Sequence, residues 1–509
     1  TPVPKIDGRA FVTGEHKYTY DMSVPGMMVG KVLRPPAFNA TLTAFDSSEA
    51  EKIPGVVVTR DNNFAGVAAP DERTAMLAIR KLQAKWDAPP QPSEAQLFDY
   101  LRQNAAHGEP SGSGDGGRNA QHVKGDVAAA SQSADKKLSQ TYTIAYIAHC
   151  PLEPRAAVAE WQGDKVTVWT GSQRPFGIQQ ELSEAFRIPL ENARVIIPDT
   201  GSAYGGKHTG DAAVEAARLA KAAGKPVKLN WTREEELTWA YFRPAGVIDV
   251  KSAAKSDGTL VAWEFDNYNS GASAIAPPYN IANQRVEFHT SKSPLRQGSY
   301  RGLAATANHF ARESHMDEMA HELGMDPLEF RLKNISDPRL REVLTAAAEK
   351  FGWGKEKPTP ERGFGLACGF EKGSWFGCCA EVAIERGGQV RVTRVAQAFD
   401  CGAVVNPNGL RNQVAGAVMQ GVGGALFEAI HFDNGKILNP HFMDYRLPRF
   451  TDMPQIEVVL VDRKDQPSAG AGETPIMGIA PATGNAIFAA IGIRLKSLPM
   501  VPDGLKAKA

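Results

Sequence analysis

The sequence has no paired-cysteine motif. Its five cysteines, Cys150, Cys368, Cys378, Cys379 and Cys401, form no CxxC, which argues against a zinc ribbon, a ferredoxin-type cluster or a CxxCH haem attachment on this chain. An odd number also argues against a complete disulfide framework, and the adjacent Cys378 and Cys379 read as small buried residues. Excess charge is lacking too: 57 Lys+Arg balance 57 Asp+Glu, so no basic field is available for nucleic acid. No apolar run approaches the roughly 18 residues of a membrane span, so no transmembrane segment is expected. There is no Gly-Lys-Ser/Thr of a Walker A loop, and no GxGxxG after a strand with an acid at the right distance. Nucleotide hydrolysis and NAD binding are therefore disfavoured.

What is present is a globular composition over 509 residues, too long for one compact core. The chain opens Thr1-Pro2-Val3-Pro4 without an initiator methionine, and reads as a processed product, a trimmed form or a C-terminal piece. Residues 1–100 read as a small α/β unit. A strand at 28–34 is stopped by Pro35-Pro36, and a helix carries Ala75, Ala78, Ile79, Leu82 and Trp86 at helical spacing. Residues 101–134 contain the one low-complexity stretch, with Ser111-Gly112-Ser113-Gly114, and read as a linker. A larger body follows in two parts, 135–355 and 356–509.

In the first part a strand at 166–170 ends on Gly171-Ser172-Gln173. Thr200-Gly201-Ser202-Ala203-Tyr204-Gly205-Gly206-Lys207-His208 then resembles a phosphate-cradling loop before a helix. Ser299-Tyr300-Arg301-Gly302 precedes another helix. In the second part a glycine-rich helix carries Gln413-Val414-Ala415-Gly416 and Gln420-Gly421. Near the end, Gly470-Ala471-Gly472-Glu473-Thr474-Pro475 places one carboxylate on an irregular turn between a strand and a small-residue helix. Gly472 permits close approach, and Pro475 keeps Thr474 out of the α region. That is how a base is aimed at a ligand, although GxGE alone also fits a solvated loop.

Taken in order, several of these pieces resemble the molybdenum-binding large subunits of the xanthine oxidase family. They are Pro25-Gly26-Met27, Gln173, Tyr204-Gly205-Gly206-Lys207, Tyr300-Arg301-Gly302, Asp400-Cys401-Gly402 through Asn406-Pro407, Gln413-Val414-Ala415-Gly416 and Gly472-Glu473. His149 through Pro154, Trp231-Thr232-Arg233-Glu234 and Tyr241-Phe242-Arg243-Pro244 are similar to the isoquinoline 1-oxidoreductase and nicotinate dehydrogenase branch.

The resemblance implies an α+β fold: a hammerhead-type α/β domain at 1–100, then a two-part molybdopterin-binding body. It implies molybdopterin, as the cytosine dinucleotide in bacteria, carrying Mo with oxo, sulfido and hydroxo ligands. The pterin holds the metal, so no protein metal ligand is expected. Gln173 matches the glutamine facing the apical oxo group. Tyr204, Gly205 and Gly206 match the loop facing the metal, Gln413 and Gly416 match pterin contacts, and Ala471 and Gly472 flank the catalytic base Glu473. Water supplies the inserted oxygen, and electrons leave to [2Fe–2S] clusters on a small partner subunit, with a cytochrome c as a candidate acceptor.

The implied substrate is an N-heteroaromatic ring or an aldehyde. His208, standing where purine hydroxylases carry an acid, is either a pocket contact or a wall residue. Arg301 is either a clamp for a substrate carboxylate or an ion-pair member beneath the pocket. Trp375 and Phe376 are either pocket walls or core aromatics. The family's Gly-Gln-Gly cofactor segment is not in this chain, which implies a further polypeptide or a cleaved N-terminal piece that supplies it. The rival reading is a non-catalytic scaffold of the same fold, which would need neither Glu473 nor Gln173. The sequence does not separate a periplasmic from a cytoplasmic location, or a soluble from a peripheral bacterial protein.

Overall fold

The computed structural model describes residues 3–106 and 121–505. The glycine-rich core of the expected linker therefore lies outside the described residues. On either side the chain is regular: Leu97–Gln103 is a helix, His122–Lys124 a strand and Val127–Gln132 a helix.

Three larger sheets organise the described residues. The first has seven strands in the order Ala193–Ile196, Lys165–Thr170, Ala156–Gln162, Val227–Asn230, Met28–Val32, Phe64–Ala69 and Val57–Asp61. Three strands of the first hundred residues thus extend a sheet built from the following body, through the parallel pairing of Met28 with Val227 and its neighbours. Two others, Thr41–Asp46 and Gln83–Asp87, pair with each other apart from it. The helix expected through Trp86 stops at Ile79, and Trp86 lies on the strand Gln83–Asp87. Over so short a stretch, apolar residues three and four apart did not separate a long helix from a helix followed by a strand.

The second sheet is six-stranded, with Lys136–Ile144, Gly246–Ala254 and Leu260–Tyr268 at its centre. The buried helix Ala305–Glu322 packs on it. This helix carries charge into the core: Glu313 pairs with Arg331 at 2.9 Å and Asp317 with Arg494 at 2.7 Å. The two pairs form one buried network, since Arg331 also lies 4.0 Å from Asp317 and Arg312 3.6 Å from Glu313.

The third sheet orders Arg362–Glu371, Ser374–Ile384, Val390–Asp400 and Gln455–Leu460. The helix Ile479–Ile491 lies directly on its first strand. A Cβ at Gly363 would sit 1.9 Å from the Ala486 carbonyl oxygen, and one at Gly365 2.3 Å from that of Ala482. Glycine at both positions is what lets helix and strand meet backbone to backbone. The window 474–491 meets the length and composition of a membrane span, with a mean hydropathy of 1.3. This corrects the expectation that no apolar run comes close. It is 72% buried within the fold, as a core helix is.

Candidate functional site

The site forms where loops from the first and third sheets meet the segment 299–302. Gln173 follows the strand Lys165–Thr170 and precedes the helix Pro175–Phe186. Its backbone N–H donates to the Lys207 carbonyl at 3.0 Å. Its side-chain oxygen accepts from the N–H groups of Gly205, at 3.1 Å, and Lys207, at 3.4 Å. The amide oxygen is thus taken, while the NH2 group of this exposed residue has no protein acceptor among the described residues. That fixes which way the carboxamide points and leaves it as a donor.

The 204–206 loop lies tightly on 299–302. Tyr204 and Gly205 have φ of 54° and 96°, and a Cβ at Gly205 would come within 2.8 Å of the Ser299 carbonyl oxygen. The Tyr241 hydroxyl donates to the Gly205 carbonyl oxygen and accepts from the His208 N–H at 3.1 Å. His208 is half-buried at the end of this loop. A Cβ at Gly206 would lie 2.7 Å from the ring of His149, which is bonded through Nε2 to the Ser299 carbonyl at 2.5 Å. Burial lowers the His149 pKa to about 3. The ring is therefore neutral, Nε2–H is the donor, and Nδ1 is buried without a partner.

Lys207 does not serve as a phosphate ligand. Its ammonium turns inward to Glu153 at 3.2 Å, with side chains 2% and 8% exposed. Burial pushes its pKa down, opposed by the Glu153 charge. The loop resembles a phosphate cradle in sequence only.

Arg301 joins the pieces. Its N–H donates to the Tyr204 carbonyl oxygen at 2.8 Å. In its side chain, Nε donates to the Gly472 carbonyl oxygen at 2.8 Å, and the two terminal nitrogens reach Gln420 Oε1 at 3.2 Å and Gln413 Oε1 at 2.9 Å. The next residue, Gly302, donates its N–H to Glu473 Oε1 at 3.3 Å. Gln173, the 204–206 loop, Gln413 and Glu473 are therefore linked through two consecutive residues. Arg301 is 7% exposed, and burial lowers its pKa. Its nitrogens are held by protein oxygens, which argues against a carboxylate clamp, and no carboxylate lies within ion-pair distance of it among the described residues, so it stands in no ion pair there.

Glu473 immediately precedes a short 3-10 turn, Thr474–Ile476. Its second oxygen accepts from the Lys372 ammonium, and the two side chains are 32% and 42% exposed. Glu473 is thus partly open and ion-paired. Beside it, Gly472 is exposed, and a Cβ there would meet nothing within 4 Å. Gly416, on the helix Pro407–Leu426, is open in the same way.

Trp375 and Phe376 do not wall one pocket. As neighbours on the strand Ser374–Ile384 they face opposite sides of the sheet. Phe376 is fully buried against His309 and under Gly478. Trp375 donates to Asp337 at 2.9 Å, with the Arg339 guanidinium 3.6 Å over its ring.

These residues suit a large anionic ligand that brings its own metal. They offer a free amide donor, two glycines facing open space, and a buried positive charge with no carboxylate at ion-pair distance, although its nitrogens already donate to protein oxygens. Metal-capable side-chain groups among the described residues lie elsewhere: Asp7, His16 and Asp199, and Asp266, Glu287 and His289, the latter tied up by Arg285 at 2.6 Å from Asp266.

Comparison with known proteins decides the family. Molybdopterin cofactor-binding domains match residues 113–335 and 280–454. The chain belongs to the xanthine oxidase family. Within that family it is a molybdopterin-binding large-subunit chain. It is 30% identical to a nicotinate dehydrogenase subunit of Pseudomonas putida over 99% of this chain and 46% of that protein. It is 27% identical to the beta subunit of isoquinoline 1-oxidoreductase of Brevundimonas diminuta, over 98% of this chain and 68% of that one. The chain therefore spans about half the length of the first relative and two thirds of the second. The crystal structure of quinoline 2-oxidoreductase from Pseudomonas putida 86 superposes with a TM-score of 0.85 at 16% identity, covering 99% of this chain and 97% of that chain, and shares the fold.

Within this family frame, three contributors were not read from sequence. Tyr241 lies in a segment that resembles the branch but carried no assigned role. Lys372 sits on a hairpin turn with no motif around it. Arg301 stood in a motif, but its linking role depends on segments more than 100 residues away.

Proposed function

We propose that this chain is the molybdenum-binding part of a hydroxylase acting on an N-heteroaromatic ring or an aldehyde. The observation that carries the reading is the link from Gln173 through the 204–206 loop and Arg301-Gly302 to Glu473. A scaffold has no need to hold a free amide donor and a carboxylate on one frame. The names of the two relatives, acting on nicotinate and isoquinoline, support the ring substrate.

The bound molybdopterin, as the cytosine dinucleotide, would supply an oxo, sulfido and hydroxo metal centre that accepts two electrons. Gln173 would hold it with its NH2 group, which donates without adding charge. Gln413 and Gly416 would line the pterin edge, and the Tyr204-Gly205-Gly206 backbone would face the centre. Glu473 would accept the proton released as a water-derived oxygen adds to an electron-poor carbon. Its fixed Oε1 and the Gly472 carbonyl anchor keep that carboxylate from swinging away.

All five cysteines are single buried thiols among the described residues, so electrons would leave through a partner bearing [2Fe–2S] clusters, with a cytochrome c as acceptor. A further polypeptide or a cleaved N-terminal piece would supply the Gly-Gln-Gly segment. Both relatives are named as single subunits of their enzymes, which supports a multi-subunit assembly. The test is metal analysis of the native complex, together with a screen of heteroaromatics and aldehydes using an artificial electron acceptor. Molybdenum with turnover of one class is expected. A metal-free, inactive complex would favour the scaffold.

A further inference from the structure

We propose that Lys372 reads a carboxylate on the substrate, so that the site favours carboxylated N-heteroaromatic rings over neutral ones. This rests on the reading of Glu473 as the base.

Lys372 and Gly373, with φ of 51° and 77°, form the two-residue turn between the strands Arg362–Glu371 and Ser374–Ile384. Such turns favour Asn or Gly at the first position. A lysine there is not explained by the turn's own chemistry. The turn is pinned to the Glu473 loop from both sides: Ser374 Oγ donates to the Gly470 carbonyl at 2.9 Å, and Thr474 Oγ1 to the Glu371 carbonyl at 3.1 Å. The lysine is therefore held at the base rather than sweeping through solvent.

Its ammonium donates to Glu473 Oε2 and to no other acceptor among the described residues. An ammonium has three N–H donors, so it keeps donors for a second anion while still holding the base. With a side chain 42% exposed, it can be reached by a small molecule. Arg301, the other cation here, has its nitrogens committed to Gly472, Gln420 and Gln413. A second acid, Glu371, precedes Lys372 in the same turn. Without the lysine, an anionic ring would approach two carboxyl groups with only the buried guanidinium charges of Arg301 and Arg312 nearby to offset them. With it, one ammonium can bridge Glu473 and the substrate carboxylate and set the ring beside the base.

The experiment measures equilibrium binding of pyridine-3-carboxylate and pyridine-3-carboxamide to the native holoenzyme complex, and kcat and KM for both. Wild type, Lys372→Gln and Lys372→Arg are compared. Wild type should bind the carboxylate about tenfold or more tighter than the amide. In Lys372→Gln that ratio should collapse, with the loss in KM, and Lys372→Arg should restore most of it. No preference in wild type, no binding of either ligand, or an equal loss for both ligands in Lys372→Gln would overturn the proposal. The base assignment is judged separately by Glu473→Gln. If that variant turns over normally while the carboxylate preference stands, the base reading falls and the lysine subsite remains.

Discussion

The Arg301 guanidinium donates from Nε to the carbonyl oxygen of Gly472 at 2.8 Å, one residue before Glu473. The Glu473 loop is therefore held by a side chain 171 residues away in sequence from its Gly472 partner, and that same side chain holds Gln413. Arg301 acts as a positioning residue for the whole site.

Arg301→Lys keeps the charge but cannot span three oxygens, because the planar fork is lost. Gly472 and Gln413 would each lose a donor. We expect a stability loss of about 1–3 kcal/mol, read by denaturant titration. Turnover should fall about 100-fold through displacement of the Glu473 loop. Wild-type turnover in this variant would show that the loop holds itself.

Glu473→Gln removes the proposed proton acceptor and keeps the shape. Gly302 N–H can still donate to the amide oxygen. Fold and metal content should be retained while kcat falls by about 10²–10⁴. Rapid-mixing kinetics with metal analysis on the same sample checks both halves.

Gln173→Ala removes one neutral donor and two acceptor contacts to the 205–207 loop. One hydrogen bond to developing charge is worth about 3 kcal/mol, so the loss should reach about 10² in kcat and stay below that of Glu473→Gln. A loss as large as that of the base would mean that the loop itself has moved.

Two buried groups set opposite pH limits on stability. His149 is held neutral, with a pKa lowered by burial to about 3 from an ordinary 6.5. The unfolded chain takes up that proton first, so this contribution is full above pH 6.5 and is lost as pH falls towards 3. Glu428 is raised by burial to about 8 from 4.5, despite the Tyr445 hydroxyl at 3.1 Å. Its contribution is full below pH 4.5 and is lost as pH rises through 8. Thermal melts from pH 5 to 9 should show Glu428→Gln flattening the alkaline decline of the wild type. An unchanged decline would place its cause elsewhere.

The sequence made the Glu473 turn legible because Gly470, Gly472 and Pro475 punctuate it, and the Gln173 position legible because a strand ends just before it. The helix before Trp86 was overextended because Leu82 and Trp86 fit both a helical face and a following strand. Trp375 and Phe376 were grouped as neighbours, yet strand geometry turns adjacent residues to opposite faces. Arg301 and Lys372 were beyond reach for another reason. The partners of Arg301 are set by how the 472 loop and the Gln413 helix meet the 299–302 segment, and that of Lys372 by how its hairpin turn packs on the 470–474 loop; no local pattern encodes either contact.

The most direct test is a structure of the native complex with molybdenum located by anomalous scattering. The account predicts the metal centre between the Gln173 carboxamide and the Glu473 carboxylate, each within hydrogen-bonding reach of a metal-bound oxygen, with Gly416 along the pterin. Molybdenum bound away from both side chains, or Gln173 directed away from any cofactor, would contradict it.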